Sequence, residues 1–255
     1  YCFDEWVDSG GVFLAAFADV LLGVAYVYFL SGEVAWLQAL RVHPRARRKG
    51  VGRALTKACL AAAAEAGRKK ARLRIDIDNH GSLALTEAAG FSKVATWLRL
   101  EKKPVDTGTP RIRFPVEEEL PRLFGLAKRG GLKLWHTDWE APDLSLAVLT
   151  EARDRGSLRV LQHEPLAALA DITYDEDDRE YKVFNPIGEW WAVQPLLLGV
   201  EKEAWQRSLR LAAVYLQTGS PYTAGLKQMG YRPALVRDWR GAEIADGLTI
   251  WEKDL

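Results

Sequence analysis

Apolar and polar positions along the chain follow two periods, and each change of period marks an element. Residues 12–18 (VFLAAFA) and 23–30 (GVAYVYFL) are rich in β-branched and aromatic side chains and are divided around DVLLG, which predicts a β-hairpin. A third strand, Glu33 to Val42, follows Ser31-Gly32 and stops at Pro44. A helix from about Gly50 to Ala66 places Val51, Ala54, Leu55, Ala58, Cys59 and Ala62 at helical spacing and ends at Gly67. ARLRIDID (71–78) alternates, with Ala71, Leu73, Ile75 and Ile77 on one face and Arg72, Arg74, Asp76 and Asp78 on the other. A short helix over 82–89, then Gly90 and a strand from Phe91, complete a βββαβαβ order, which predicts a mixed sheet covered by helices.

Around KKPVDTGTP (102–110) the pattern gives way to proline, glycine and threonine, so 104–110 is taken as a linker between domains at 1–103 and 111–255. Beyond it, RIRF reads as a strand, EEELPRLFGLAKRG and DLSLAVLTEARDRG as helices, and SLRVLQHE, LAALADITYD and EWWAVQPLLL as three strands. EKEAWQRSL and YTAGLKQM read as helices, and RLAAVYLQT, ALVRDW and LTIWEK as strands. TEAAGFSKVATW and KQMGYRPALVRDW share the order helix, glycine, aromatic, strand. They imply a diverged internal repeat with a period of about 140 residues.

Charge narrows the function. Lysine plus arginine (35) nearly balances aspartate plus glutamate (34), for a net +1, which argues against a dedicated nucleic-acid binder. Tyr1 opens without a basic region or a cleavage site, and Asp19 and Gly23 interrupt the longest apolar run, so neither a signal peptide nor a membrane span is expected. Without an initiator methionine, the chain reads as one that starts inside a longer product. Cys2 and Cys59 are expected as reduced thiols in a cytoplasmic protein. Asparagine occurs only as Asn79 and Asn185 and methionine only as Met229, which hints at a thermophilic source.

The local exception to charge balance is RVHPRARRKGVGRAL (41–55). Arg47, Arg48, Lys49, Gly50, Val51 and Gly52 fall after a strand and at the first turn of a helix. Helix N-termini carry unpaired N–H groups and partial positive charge, and glycines let an anion approach the backbone, so the stretch reads as a phosphate or pyrophosphate cradle. It lacks the Gly-Lys-Ser/Thr of a Walker A loop and the third glycine of a dinucleotide fingerprint. A basic, solvated helix start is the plain alternative.

LRVHPRARRKGVGRAL followed by NHGSLALTEAAGF resembles the two signature motifs of the GNAT superfamily of acetyl-CoA-dependent N-acetyltransferases. The first matches at Val42, Pro44, Arg47, Gly50 and Gly52, the second at Asn79, Ser82, Leu85, Gly90 and Phe91. The resemblance covers residues 12–100. It implies an α/β (α+β) fold class: two GNAT-like domains, each a mixed, mostly antiparallel sheet flanked by helices, the second degenerate. The family's first strand and helices are missing from the start, with only YCFDEWVDS left as a possible helix end.

The resemblance also implies roles. Backbone groups of Leu40, Arg41 and Val42 would pair with the pantetheine arm of acetyl-CoA. Arg47, Arg48, Lys49, Gly50, Val51, Gly52 and Arg53 would surround its pyrophosphate, and Asn79 would hydrogen-bond the cofactor near its pantetheine end, or cap a turn, or both. The family's tyrosine acid is replaced by Thr86 and its strand glutamate by Trp36, leaving Glu33, Gln38, Tyr26 and Tyr28 as the polar candidates for proton transfer. His43, His80, His136 and His163 show no metal spacing, DEDD (175–178) reads as a solvated turn, and no metal is expected. In the second half Glu201 and Glu203 are expected where a pyrophosphate would sit. The implied function is acetyl transfer from acetyl-CoA to a primary amine; the alternative is an inactive acyl-CoA-binding or regulatory module. The implied partners are acetyl-CoA, an amine acceptor and a possible second copy in a homodimer, with no nucleic acid and no membrane.

Overall fold

The computed structural model describes residue 6 and residues 10–30, 32–108, 111–238 and 240–255. The stretch read as a helix end, 1–9, lies outside the described residues except for Trp6. Among the described residues no helix is long and apolar enough to cross a membrane.

The chain divides into two compact units, Tyr1–Thr96 with Leu248–Leu255, and Trp97–Gly247. This departs from the boundary at 103 and 111 expected from composition. The division falls inside a regular strand, and the last eight residues belong with the first unit.

In unit 1 the strands β1 (Val12–Phe17), β2 (Leu21–Phe29) and β3 (Val34–Val42) form an antiparallel meander. Helix α1 (Val51–Glu65) then crosses to β4 (Lys70–Asp76), parallel to β3, and α2 (His80–Ala88) leads to β5 (Ser92–Lys102). The final strand β14 (Gly247–Asp254) runs antiparallel to β4 from Leu248↔Asp76 to Asp254↔Lys70 and lies between β4 and β5. LTIWEK is therefore a strand, as its alternation predicts, but one that completes the sheet of the first unit. Two features fix it there. Trp251 joins the core formed by Ala35, Leu37, Leu55, Cys59, Ala71 and Phe91, and the buried Arg72 donates from Nε to Glu252 Oε2 at 3.0 Å.

In unit 2 the residues of β5 from Trp97 onward pair antiparallel with β10 (Leu211–Gln217). The order continues through β9 (Glu180–Gly188), β8 (Ala168–Asp175), β7 (Leu158–Leu161) and β6 (Ile112–Arg113). Helices α3 (Leu120–Arg129) and α4 (Leu146–Asp154) pack on one face, where Leu123, Leu149 and Leu158 are fully buried. Helix α5 (Trp190–Gln206) covers the other, and α6 (Thr223–Gln228) follows β10. β11 (Arg232–Pro233) pairs with β5, and β12 (Leu235–Arg237) with β13 (Glu243–Ala245).

One sequence expectation fails here, and one strand was not anticipated. EWWAVQPLLL is not a strand but the start of α5. The strand before it is β9, EYKVFNPIG, which the sequence reading passed over. The indoles and valine of WWAV look strand-like. Yet Ala192, Val193, Leu196, Leu197, Val200 and Ala204 recur at helical spacing, and all are buried on one side.

The repeat is visible in the details. Each unit has a bulge on the strand before its long helix, marked by a non-glycine residue at positive φ: Ala39 (56°) on β3 and Asn185 (50°) on β9. In unit 1 the bulge reverses the inward parity, from Ala35 and Leu37 to Leu40 and Val42. Each short helix ends in the same way, on Gly90 (φ 81°) and Gly230 (φ 90°), with the next aromatic N–H bonded back to the helix: Phe91 to Thr86 and Tyr231 to Leu226.

Candidate functional site

The site of unit 1 is built where β3 and β4 part. Their parallel ladder spans only Val34↔Lys70, Ala35↔Ala71 and Trp36↔Arg72. Beyond Trp36 the β4-facing edge of β3 is open, while its other edge stays paired with β2 out to Gly23↔Val42. Leu40, Arg41 and Val42 therefore sit on an open edge past the bulge. Leu40 and Val42 pack inward, and the Arg41 side chain is exposed.

The connection from β3 to α1 is eight residues, 43–50. His43 accepts from the Arg45 N–H at 3.3 Å and caps the turn Pro44–Ala46, and Arg47 donates back to the Val42 carbonyl at 3.4 Å. Arg48 (φ 61°) and Gly50 (φ 85°) are both left-handed, a conformation unfavourable for arginine and natural for glycine. The first main-chain bond of α1 runs from Ala54 N–H to Gly50 O at 3.0 Å, so the amides before Ala54 point out of the helix end. A Cβ on Gly50 would meet open space. One on Gly52 would sit 3.2 Å from Leu85 Cδ2, so the helix lies close against α2 there. Arg47, Arg48, Lys49 and Arg53 are exposed around this concavity.

Gly23, which the sequence reading used only to divide an apolar run, has a structural task. A Cβ on it would meet the Arg41 carbonyl at 2.6 Å and Leu55 Cδ1 at 3.1 Å, so only glycine lets β2 pass beneath the cradle. A glycine within an alternating strand was the available signal.

Asn79 caps α2, its Oδ1 accepting from the Ser82 N–H at 3.1 Å, and its exposed side chain keeps the amide nitrogen at the surface. Thr86 is 5% exposed and faces the unit's interior.

The four proton-transfer candidates are scattered. Glu33 lies before β3 and pairs with Lys69, five residues from Gln38, or about 17 Å of strand. Tyr26 is fully buried, donates to the Trp6 carbonyl at 2.7 Å and stacks on its indole. Tyr28 lies opposite Trp36, and Gln38 opposite Tyr26. Gln38 alone among the four lies at the parting of β3 and β4.

Unit 2 repeats the parting but not the cradle. The β9–β10 ladder stops at Val183↔Val214, and a cleft of about 340 Å³ opens beyond it. Only Glu189 separates β9 from α5, in place of the eight residues of unit 1. The expectation for Glu201 and Glu203 is corrected: both lie in the second half of α5. Glu201 is fully buried and paired with Lys102 at 2.7 Å, and Glu203 faces Arg159 at 3.4 Å.

Elsewhere, Cys59 is a buried thiol that desolvation pushes up to about 11. Asp175, Asp178 and Glu180 bring carboxylate oxygens together, but Lys182 Nζ sits 2.7 Å from Asp175 and Arg99 holds Glu180 at 2.7 Å, so internal cations balance this group. His136 is buried against Trp97 and Phe184.

Residues 1–91 match the acetyltransferase (GNAT) family. Comparison with curated proteins finds no match. Among solved structures, the fold is similar to a tandem GNAT protein from the clavulanic acid biosynthesis pathway. It is 15% identical, with TM-score 0.60, covering 94% of this chain and 81% of that one. It is likewise similar to a GCN5-related N-acetyltransferase from Sphaerobacter thermophilus: 14% identity, TM-score 0.61, 92% and 77% covered. A third, a GCN5-related N-acetyltransferase from Kribbella flavida, gives 13% identity and TM-score 0.57 over 98% of this chain and 61% of that one. Residues 1–91 thus match the GNAT acetyltransferase family, on a chain whose fold is similar to that of a tandem GNAT protein.

Proposed function

We propose that the protein is an acetyl-CoA-dependent N-acetyltransferase whose cosubstrate binds in unit 1. The observation that carries this reading is the pairing of an open β3 edge with the outward amides of α1. A pantetheine chain needs a strand edge to bond, and a pyrophosphate needs amides, close approach and positive charge. Leu40, Arg41 and Val42 offer the first. Gly50, Val51, Gly52 and Arg53 offer the amides, and Arg47, Arg48 and Lys49 the charge. The fit is steric as well as electrostatic, because no atom of the described residues, apart from its own and its chain neighbours', comes within 4 Å of a Cβ placed on Gly50. When bound, acetyl-CoA supplies an activated acyl group to a primary amine.

The chain's own residues bind and orient. Asn79 Oδ1 is engaged by Ser82, so its Nδ2 is the group left to donate to a bound chain. Gln38, at the parting of the strands, orients the incoming amine through its amide, and the amine proton leaves to water. Glu33 and Tyr26 are too distant or too buried to take part. A second reading, binding without transfer, is favoured by the burial of Thr86 at the position of the family's tyrosine acid. One assay separates them: release of free thiol from acetyl-CoA over a panel of small amines, polyamines, aminoglycosides and peptide N-termini. Amine-dependent thiol release supports transfer. Saturable CoA binding with no release across the panel supports the second reading, and neither result would refute both.

A further inference from the structure

We propose that Thr249 on β14 is a positioning residue of the cosubstrate site: its hydroxyl fixes the end of β4 and, through it, the Asn79 amide. The inference rests on the reading that acetyl-CoA binds in unit 1.

Thr249 stands opposite Ile75 in the ladder, and Trp251 opposite Leu73. Ile75, Leu73 and Trp251 all contribute to one core. Every second residue of a strand shares a face, so Thr249 points with Trp251 toward that core, and it is buried there. An apolar β-branched residue would fill the place as well by shape, and a hydroxyl taken out of water costs free energy unless it is bonded. This one is bonded twice. The Trp251 Nε1–H donates to Thr249 Oγ1 at 2.9 Å, and Thr249 Oγ1 donates to the Ile75 carbonyl at 3.0 Å. Accepting one bond and donating the other sets the direction of the hydroxyl.

The place of this relay gives it a use. The β3–β4 ladder ends at Trp36↔Arg72, and Ile75 lies beyond that end, in the stretch of β4 that has left β3. There the strand neighbour of β4 is β14, paired out to Leu248↔Asp76. The course of β4 past the parting is therefore set from β14, and the Thr249 hydroxyl ties the two strands there by a side chain as well. The fixing then passes to the cofactor side. The Asn79 N–H bonds the Asp76 carbonyl at 3.0 Å, which hangs the turn on the end of β4. Asn79 Oδ1 accepts from the Ser82 N–H at 3.1 Å and starts α2, leaving Nδ2 as the group aimed at a bound chain. N–H···O bonds hold only over about 2.7–3.2 Å, so a drift of about 1 Å at the end of β4 would cost the Asn79 contact.

Calorimetric titration of CoA into the full chain, with urea unfolding alongside, tests the inference. Thr249→Val keeps the shape and removes the hydroxyl, and should weaken CoA binding by about tenfold, the worth of roughly one hydrogen bond. Thr249→Ser keeps the hydroxyl and should bind CoA as the parent does. A purely structural threonine would lower the urea midpoint and leave the affinity of the folded protein unchanged. Action through Asn79 is read by a double-mutant cycle. Asn79→Ser keeps a capping hydroxyl and removes the amide, so in that background Thr249→Val should have little further effect on affinity. Trp251→Phe removes the donor of the relay and keeps a ring in the core, and it serves, with a weakening of the same sign, where Thr249→Val does not fold. Parent affinity in folded Thr249→Val or Trp251→Phe, no recovery with serine, or an undiminished loss in the Asn79→Ser background would overturn the inference and leave the CoA site standing. A parent chain that does not bind CoA would overturn both.

Discussion

Glu252→Ala should destabilise unit 1 although Glu252 is three residues from the last residue, Leu255. Its carboxylate accepts from Arg72 Nε at 3.0 Å and from Lys70 Nζ at 3.1 Å. The Arg72 side chain is 1% exposed and Glu252 is 19% exposed. Removing one member of a buried ion pair costs about 3–5 kcal/mol. Partial exposure of Glu252 and Lys70 reduces that to about 2–3 kcal/mol here. At 1.36 kcal/mol per tenfold, this is roughly a 30- to 150-fold change in the folded population. Urea unfolding monitored by circular dichroism measures it. The control is Arg72→Met with Glu252→Leu, which removes both charges and should recover stability to within about 1 kcal/mol of the parent. A loss below about 0.5 kcal/mol for Glu252→Ala, or a double variant worse than the single, would refute the reasoning. The pair also sets an acid limit. Burial opposes the charge on Glu252, but the hydrogen bonds from Arg72 and Lys70 outweigh it and hold the group below its ordinary 4.5. The stability it contributes is thus present above that value and lost as pH falls through the lowered one.

Gly50→Ala forces a β-carbon into a left-handed residue and should cost about 1 kcal/mol, read by thermal melting, while Gly50→Glu should also abolish CoA binding through its charge. Thr86→Val keeps the volume of a buried side chain, so acetyl transfer should stay within about tenfold of the parent; a loss of roughly 100-fold with CoA binding intact would make Thr86 the acid after all. Burial raises the Glu140 carboxyl from 4.5 to about 7, with Arg155 opposing. A raised value is sustained by protonation in the folded state, so Glu140 destabilises the protein as pH rises from 4.5 toward 7, by about 3 kcal/mol at most. Glu140→Gln should flatten that slope in urea unfolding at pH 5 and pH 7.5, and an unchanged slope would contradict it.

Most of the first unit was legible because its elements keep a single period: the hairpin, the alternation of 71–78 and the spacing along α1 each specify one buried face. The turn into α1 was legible for a related reason, since Gly50 stands where a left-handed residue begins the helix. What sequence could not give was the placing of β14. LTIWEK reads as a strand, but its partner is set by the Trp251 contacts and the Arg72–Glu252 pair, 180 residues apart in the chain. The start of α5 was misread because the indoles and valine of WWAV imitate a strand and Pro195 is unusual inside a helix, although the burial of Ala192, Leu196 and Val200 follows the helical period. That error moved Glu201 and Glu203 to the wrong end of a helix. The loss of the second cradle is a shortened loop, which no residue type announces.

Calorimetric titration of CoA into the parent chain and Gly52→Asp tests the central claim most directly. Gly52 is the second residue of α1, where an aspartate favours the helix by about 0.3–1 kcal/mol, and its Cβ has only Leu85 to displace. The variant should therefore fold while placing negative charge in the cradle. The account predicts saturation at one CoA per chain for the parent and no measurable heat for folded Gly52→Asp. Unchanged affinity in that variant, or a stoichiometry near two in the parent, would contradict it.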